Sequence, residues 1–249
     1  MSLVINTSTP EGLVIAADSR QSYRNRKGIS RIGSDTARKL FQVNTRIGVA
    51  ITGLAYLNDN GVLKNSSSII KEFIEENDVE ELKVNEFAKQ LYEKYKEKYD
   101  IEKELSALEQ RVKNDLTNQG YKDINIKRTK IGIEFSFKTT REETKKGTAN
   151  LEQINFLVAG FNKDNSHEVY ICYLPGGIQK KRDSKTKNLE YGANWLGQTD
   201  LVNRIIKGFD PRIFNIKSIN QLTNTISIEQ LNSEFGYLEY SIQWGTMTL

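Results

Sequence analysis

The stretch GLVIAADSR, which spans residues 12–20, decides the fold together with the apolar run LVI at residues 3–5. Both runs are short and rich in β-branched residues, and the segment TPEG at residues 9–12 has the composition of a turn. The pattern predicts a β-hairpin at the start of the chain. Its second strand ends directly before Asp18, so a carboxylate is expected at the end of an apolar strand.

A second hairpin is predicted over residues 38–53. The runs RKLFQV at 38–43 and IGVAITG at 47–53 are again short and apolar, and three polar residues separate them. Lys39 leads into the first of these strands and Gly53 closes the second. The polar residues 20–37, which lie between the two hairpins, are predicted to form a loop.

The periodicity changes to that of helices after residue 65. Apolar residues recur at helical spacing from Ser66 to about Tyr99 and from Leu105 to Leu116, and Gly120 follows as a stop signal. Further predictions are an alternating strand at 131–137, a charged loop at 138–150, buried strands at 155–161 and 168–174, a basic loop at 180–187 and a helix at 195–209. Strands, then helices, then strands again predict an α+β fold with a largely antiparallel sheet.

The composition excludes several classes of function. The chain has 249 residues and a mild net charge of +4, and no apolar run approaches the ~18 residues of a membrane-spanning helix. The first residues lack the features of a signal peptide, so a cytoplasmic protein is expected. Cys172 and His167 are the single members of their types, so we expect no disulfide, metal site or cofactor, and Cys172 is predicted to be a core residue.

Four residues have catalytic potential: Ser2, Asp18, Lys39 and Gly53. Removal of Met1 would place a free α-amino group, whose ordinary pKa lies close to neutrality, on the residue that carries the hydroxyl. The charge of Lys39 would favour deprotonation of that hydroxyl, Asp18 could anchor the cation, and the Gly53 N–H could stabilise an oxyanion. Each residue also has a plainer interpretation: a common second residue, a surface salt bridge, a solvated lysine or a turn glycine.

The order and spacing of these four residues resemble the proteasome β-type subunits and the related bacterial proteasome-like peptidases, which are N-terminal-nucleophile hydrolases. In that family a strand pair ends in an Ala-Ala-Asp-Ser-Arg-like motif, a lysine opens the next strand, and a glycine follows fourteen positions later, as Gly53 follows Lys39. The resemblance implies a protease of the threonine-type peptidase class that cleaves peptide (amide) bonds with Ser2 as nucleophile. Its catalytic residues would be Ser2, Asp18, Lys39 and Gly53.

The resemblance also implies a fold and partners. The fold would be one domain over residues 1–249, a four-layer αββα sandwich of two antiparallel sheets between helix layers, with an inserted helix and strand at about 101–150. The family forms rings, so a homo-oligomer that acts on peptide or protein substrates is implied, without cofactor, membrane or nucleic acid. In the family a helix pair and a strand follow the segment that resembles WGTMTL at residues 244–249, so the fold is expected to be incomplete at its C-terminus.

Two alternatives remain open at this point. Ser2 replaces the usual threonine, and Ala193 stands where many family members place a hydroxyl, so the chain could be a catalytically inactive or truncated structural relative. A nucleic-acid-binding module is the alternative from another class of function. Its basic residues would be Lys122, Lys127, Arg128, Lys130 and those of the 180–187 loop.

Overall fold

The computed structural model describes residues 2–24, 29–59, 61–222, 225–237, 242 and 244–246. The chain divides into a first unit, which comprises residues 1–37 and 182–249, and a second unit, which comprises residues 38–181. Antiparallel sheets and helices occur together, in agreement with the predicted α+β class. None of the described helices has both the length and the apolar composition needed to cross a membrane.

The described strands and helices follow in chain order. The strands are β1 Leu3–Thr9, β2 Gly12–Ala17, β3 Gln21–Arg24, β4 Ser30–Ser34, β5 Leu40–Gln42, β6 Ile47–Gly53, β7 Tyr56–Asp59, β8 Val62–Asn65, β9 Lys122–Arg128, β10 Gly132–Lys138, β11 Thr144–Asn150, β12 Ile154–Phe161, β13 His167–Leu174, β14 Gly177–Asp183 and β15 Gly192–Gly197. The helices are α1 Ser66–Glu76, α2 Val84–Lys98, α3 Ile101–Asn118, α4 Asp200–Lys207, α5 Lys217–Leu222 and α6 Ile228–Gly236, with short 3-10 helices at Pro211–Asn215 and Trp244–Thr246.

The first unit contains a three-stranded antiparallel sheet of order β15-β1-β2. The fully buried Asn6 lies opposite Asn194 on β15, and its side-chain oxygen accepts a hydrogen bond from the Asn194 amide at 3.2 Å. The Asn6 amide donates to the carbonyl of Val14 on β2 at 3.1 Å. Because a buried amide needs these partners, it fixes the register of the central strand, which is the strand that begins beside Ser2.

The second unit contains a five-stranded antiparallel sheet of order β14-β13-β12-β6-β5. On one face Phe156 stacks on Tyr95 of α2 with ring centroids 5.3 Å apart, and α1 and α2 complete this core. On the opposite face the side chains of Ala50, Leu157 and Ile171 are also buried. The central strands of this sheet are therefore shielded from solvent on both faces, which agrees with their near-continuous apolar sequence.

The helices begin at polar side chains. The predicted helix from Ser66 is confirmed, and its N-cap is Asn65, whose side chain accepts from the Ser67 N–H at 3.0 Å. The helix α3 begins after Asp100, which accepts from the Lys103 N–H in the same way. Its apolar stripe packs against a three-stranded meander of order β11-β10-β9, which is the helix-and-strand segment expected at 101–150.

Several sequence predictions are wrong in the same manner, because polar segments form strands. Residues 20–37 contain the hairpin β3–β4, although residues 25–28 lie outside the described residues, and the charged segment 138–150 contains β11. The basic segment 180–187 includes the end of β14, where Lys180 pairs with Glu168 at 2.8 Å. Residues 195–197 belong to β15, so the predicted helix begins only at Asp200. In each case backbone pairing with a neighbouring strand outweighs weak local propensity.

Candidate functional site

The peptide unit that joins Ser2 to Leu3 is held from both sides. The carbonyl oxygen of Ser2 accepts a hydrogen bond from the Gln198 N–H at 2.6 Å, and the N–H of Leu3 donates to Oδ1 of Asp18 at 2.8 Å. The Asp18 N–H donates in turn to the Leu3 carbonyl at 3.1 Å. Met1 lies outside the described residues. The first described residue of the chain is thus fixed against the ends of β2 and β15, and we call this arrangement the Ser2 clamp.

Asp18 acts as a backbone acceptor at the end of β2. Besides Leu3, its carboxylate accepts from the Arg20 N–H at 3.1 Å, which orients the chain as it leaves the strand. The Arg20 guanidinium forms an ion pair with Asp35 at 2.7 Å. Hydrogen bonds to an ionised carboxylate are shorter and stronger than those between neutral groups. The sequence prediction placed Asp18 correctly at a strand end, whereas its bond to the Leu3 N–H could not be anticipated.

The Gln198 N–H is the part of the clamp that sequence reasoning missed. Gly197 ends β15 opposite Leu3 with a φ of +86°, a left-handed conformation that favours glycine, and the chain turns there so that the Gln198 N–H reaches Ser2. Gly197 is the one sequence signal that could have indicated this turn. The helix predicted at 195–209 covers this glycine and hides its role as the end of a strand.

Lys39 lies in the second unit and is buried, with 8% of its surface exposed. It is the only lysine or arginine in the buried class among the residues that the structure describes. Its carbonyl oxygen accepts a hydrogen bond from the Ile51 N–H at 2.9 Å. Lys39 therefore lies beside Ile51 of β6, which is two positions before Gly53. The interpretation of Lys39 as a solvated lysine is therefore wrong. Burial of a lysine is costly and calls for a specific role.

Gly53 is required by the backbone. Its φ is +97°, and a Cβ atom at this position would lie 2.0 Å from the carbonyl oxygen of Gln153. The neighbouring Leu54 N–H donates to that same oxygen at 2.9 Å, so the strand end cannot easily move away. The interpretation as a structural glycine is sufficient to explain the residue, and the oxyanion role predicted from sequence remains a proposal.

Two buried polar atoms lie next to Gly53. Thr52 on β6 and Asn155 on β12 are direct cross-strand partners. The Thr52 hydroxyl and the Asn155 side-chain oxygen are buried, and neither has a hydrogen-bond partner within the part of the chain that the structure describes. These residues were not predicted from sequence. They give the end of the second sheet a hydrogen-bonding capacity that its apolar strands otherwise lack.

The structure therefore brings the predicted site residues together in two pairs. Ser2 and Asp18 are linked through Leu3 in the first unit, whereas in the second unit Lys39 precedes β5 and is bonded to β6, the strand that ends at Gly53. Cys172 is buried in β13, as predicted, and burial raises the pKa of its thiol, so it is poorly suited to act as a nucleophile. Among the described residues no group of three or more His, Cys, Asp or Glu side chains could hold a metal ion.

Replacement of Asp18 tests the clamp. Asp18→Ala is expected to lower the free energy of unfolding by about 1.5–3 kcal/mol, because it removes a charged acceptor from two backbone N–H groups. Asp18→Asn keeps one carbonyl acceptor and should lose less. Urea unfolding followed by circular dichroism measures both.

The matched control is Asp35→Ala, which removes an exposed carboxylate from the same segment. Its ion pair with Arg20 is solvent-exposed, so the loss should stay below about 1 kcal/mol. An equal loss in the two alanine variants would show that Asp18 contributes nothing beyond an ordinary surface charge.

Comparison with known proteins does not assign the chain to a family. No protein-family model matches the chain, and a search of curated proteins finds no significant match. The functional assignment therefore depends on the residues and contacts described above.

Proposed function

We propose that the chain is an N-terminal-nucleophile hydrolase of the proteasome type, which cleaves peptide bonds with Ser2 as nucleophile after removal of Met1. The observation that carries the proposal is the Ser2 clamp, in which Gln198 and Asp18 hold the two sides of the Ser2–Leu3 peptide unit. Chain termini normally fray, whereas a nucleophile must be held within a fraction of an ångström of its productive position. A clamp at this position is the support that a terminal nucleophile needs.

The proposed reaction is acyl transfer. The α-amino group of Ser2, directly or through a water, takes the proton of Oγ as Oγ attacks the carbonyl carbon of the substrate. The same proton passes to the leaving amine as the C–N bond breaks, and water then hydrolyses the ester that joins the acyl group to Ser2. The positive charge of Lys39 would favour the alkoxide, and the Gly53 N–H would donate to the oxyanion.

Asp18 has a different proposed role from the one that the sequence suggested. Its carboxylate accepts from the Leu3 and Arg20 N–H groups, so it would position Ser2 through the backbone in addition to any effect on Lys39. The burial of Lys39 supports a role for this residue in the site, because a lysine with no role would be placed in solvent.

The same proposal includes the fold and the assembly. The chain would form one domain with a four-layer αββα sandwich, and copies of it would form a ring-shaped homo-oligomer. The two layers would be the three-stranded sheet β15-β1-β2 and the five-stranded sheet, which has helices on one face and buried apolar side chains on the other. A sheet that is buried on both faces is expected of an inner layer in such a sandwich. The segment 101–150 would be an insertion into it.

Intact-protein mass spectrometry combined with a peptidase assay tests the function. We expect a mass that corresponds to loss of Met1, and release of fluorophore from short fluorogenic peptides. Retention of Met1 would leave Ser2 without a free amine and would contradict the mechanism. A processed protein that cleaves none of a broad peptide panel would instead support the inactive relative, since the clamp alone does not generate activity.

A further inference from the structure

Residues 120–150, which contain the meander of β9, β10 and β11, carry an excess of positive charge. This segment has eight basic and four acidic residues, so its net charge of +4 equals that of the whole chain, which has 36 basic and 32 acidic residues. The segment 180–187 has five basic residues and one acidic residue, so it is a second basic segment of the chain. A local excess of this kind favours an anionic partner at the meander.

The two faces of the meander have different surroundings. On the inner face Ile133 and Phe135 pack towards α3, and Arg128 forms ion pairs with Glu102 and Glu109 of that helix. The strand register places the alternate residues on the outer face. These are Asn125 and Lys127 on β9, Glu134 and Ser136 on β10, and Lys146 and Thr148 on β11.

The outer face forms an open groove with a volume of about 520 Å³, to which Phe135 and Gly147 also contribute. Lys127 and Lys146 lie on the two outer strands and flank it, and Ser136 lies opposite both Asn125 and Lys146 on the neighbouring strands. Neither lysine forms an ion pair with any residue that the structure describes. Arg128, by contrast, is neutralised by α3, which removes it from the basic set suggested by the sequence.

We propose that the outer face of the meander binds the phosphate backbone of a duplex nucleic acid. Lysine, asparagine, serine and threonine side chains are common donors to phosphate oxygens, and the groove presents all four types. Phe135 also lines the groove, but its ring stacks on Phe137 at 6.2 Å, and Phe137 stacks on Tyr121 at 4.6 Å. The six outer-facing side chains include no aromatic ring, which favours a duplex over a single strand.

Replacement of Glu134 provides a test in which binding should become tighter. Its carboxylate lies in the groove opposite Lys127, where it would repel a phosphate. Glu134→Gln should therefore tighten binding, whereas Lys127→Gln combined with Lys146→Gln should weaken it. A protein partner with acidic side chains would respond to the same charges, so the probe itself must separate the two classes of partner.

Fluorescence anisotropy with a labelled 20-base-pair DNA duplex measures the binding. For the full chain we expect a Kd of about 10⁻⁴–10⁻⁶ M at physiological salt, with no dependence on sequence. The affinity should fall linearly with salt on logarithmic axes. The double lysine variant should reduce that slope by about 1.8, because each phosphate contact contributes about 0.9.

The matched control is the double variant Lys103→Gln/Lys113→Gln, which removes the same charge from exposed positions on α3. It should leave the salt dependence unchanged. An equal loss in this control, an unchanged affinity in the groove variant, or no binding at low salt would overturn the proposal. Binding of polyglutamate in preference to the duplex would also overturn it and would assign the groove to an acidic protein.

Discussion

Replacement of Ser2 by alanine is expected to abolish Ser2-dependent peptide hydrolysis while the protein remains folded. The alanine variant retains the backbone atoms of the clamp, because Gln198 and Asp18 bind the peptide unit and not the side chain. The Ser2 hydroxyl itself makes no hydrogen bond to any described residue, so its removal should cost little stability. Initial rates with fluorogenic peptides and circular dichroism of both proteins give the comparison.

Two further variants test whether the loss of hydrolysis is specific to the Ser2 hydroxyl. Ser2→Thr keeps the hydroxyl and the α-amino group and should keep measurable activity. Ser19→Ala removes a hydroxyl next to Asp18 and should have no effect on the rate. Equal rates for the Ser2→Ala variant and the parent protein would remove Ser2 from the mechanism, and equal losses for the variants at positions 2 and 19 would indicate a general disturbance.

The role of Lys39 can be distinguished from that of Ser2 by how far the rate of hydrolysis falls when Lys39 is replaced. Lys39→Met retains an unbranched side chain of similar length at a buried position but removes the charge. If the ammonium assists proton transfer from the hydroxyl, the rate should fall by about 10²–10⁴-fold, the range expected when a positioned acid or base is lost. A fall below threefold would leave Lys39 with a role in the fold alone.

The first hairpin was predictable from sequence because β-branched runs and turn residues coincide there. The same holds for β6 and β12, whose apolar sequences reflect burial on both faces. In contrast β11 has the sequence TKKGTAN, in which lysines and threonines mask the strand. It forms because each residue pairs with one on β10, a long-range condition that no local pattern contains.

The candidate site was likewise predictable from the sequence only in part. The positions of Asp18 and Gly53 at strand ends follow from local patterns, and the structure has both there. The clamp on Ser2 depends on Gln198, which is 196 positions away in the chain and contributes only its backbone N–H. Backbone groups have no sequence signature, so only the glycine before Gln198 could have pointed to it.

The second large effect is expected for Gly53→Ala, which should lower the free energy of unfolding by more than about 3 kcal/mol. Two costs combine in this variant. A φ of +97° is unfavourable for any residue with a Cβ atom, and the new atom would lie 2.0 Å from the carbonyl oxygen of Gln153. That oxygen is held by the Leu54 N–H and by the pairing of β6 with β12, so relief requires that the strand end separate.

Gly61→Ala measures the first cost alone. Gly61 has a similar φ of +89°, but a Cβ atom there meets nothing within 4 Å, so this variant should lose only about 1–2 kcal/mol. The difference between the two midpoints in urea measures the collision at Gln153. If both variants lose the same amount, the strand end yields freely, and the positive φ alone accounts for the cost at Gly53.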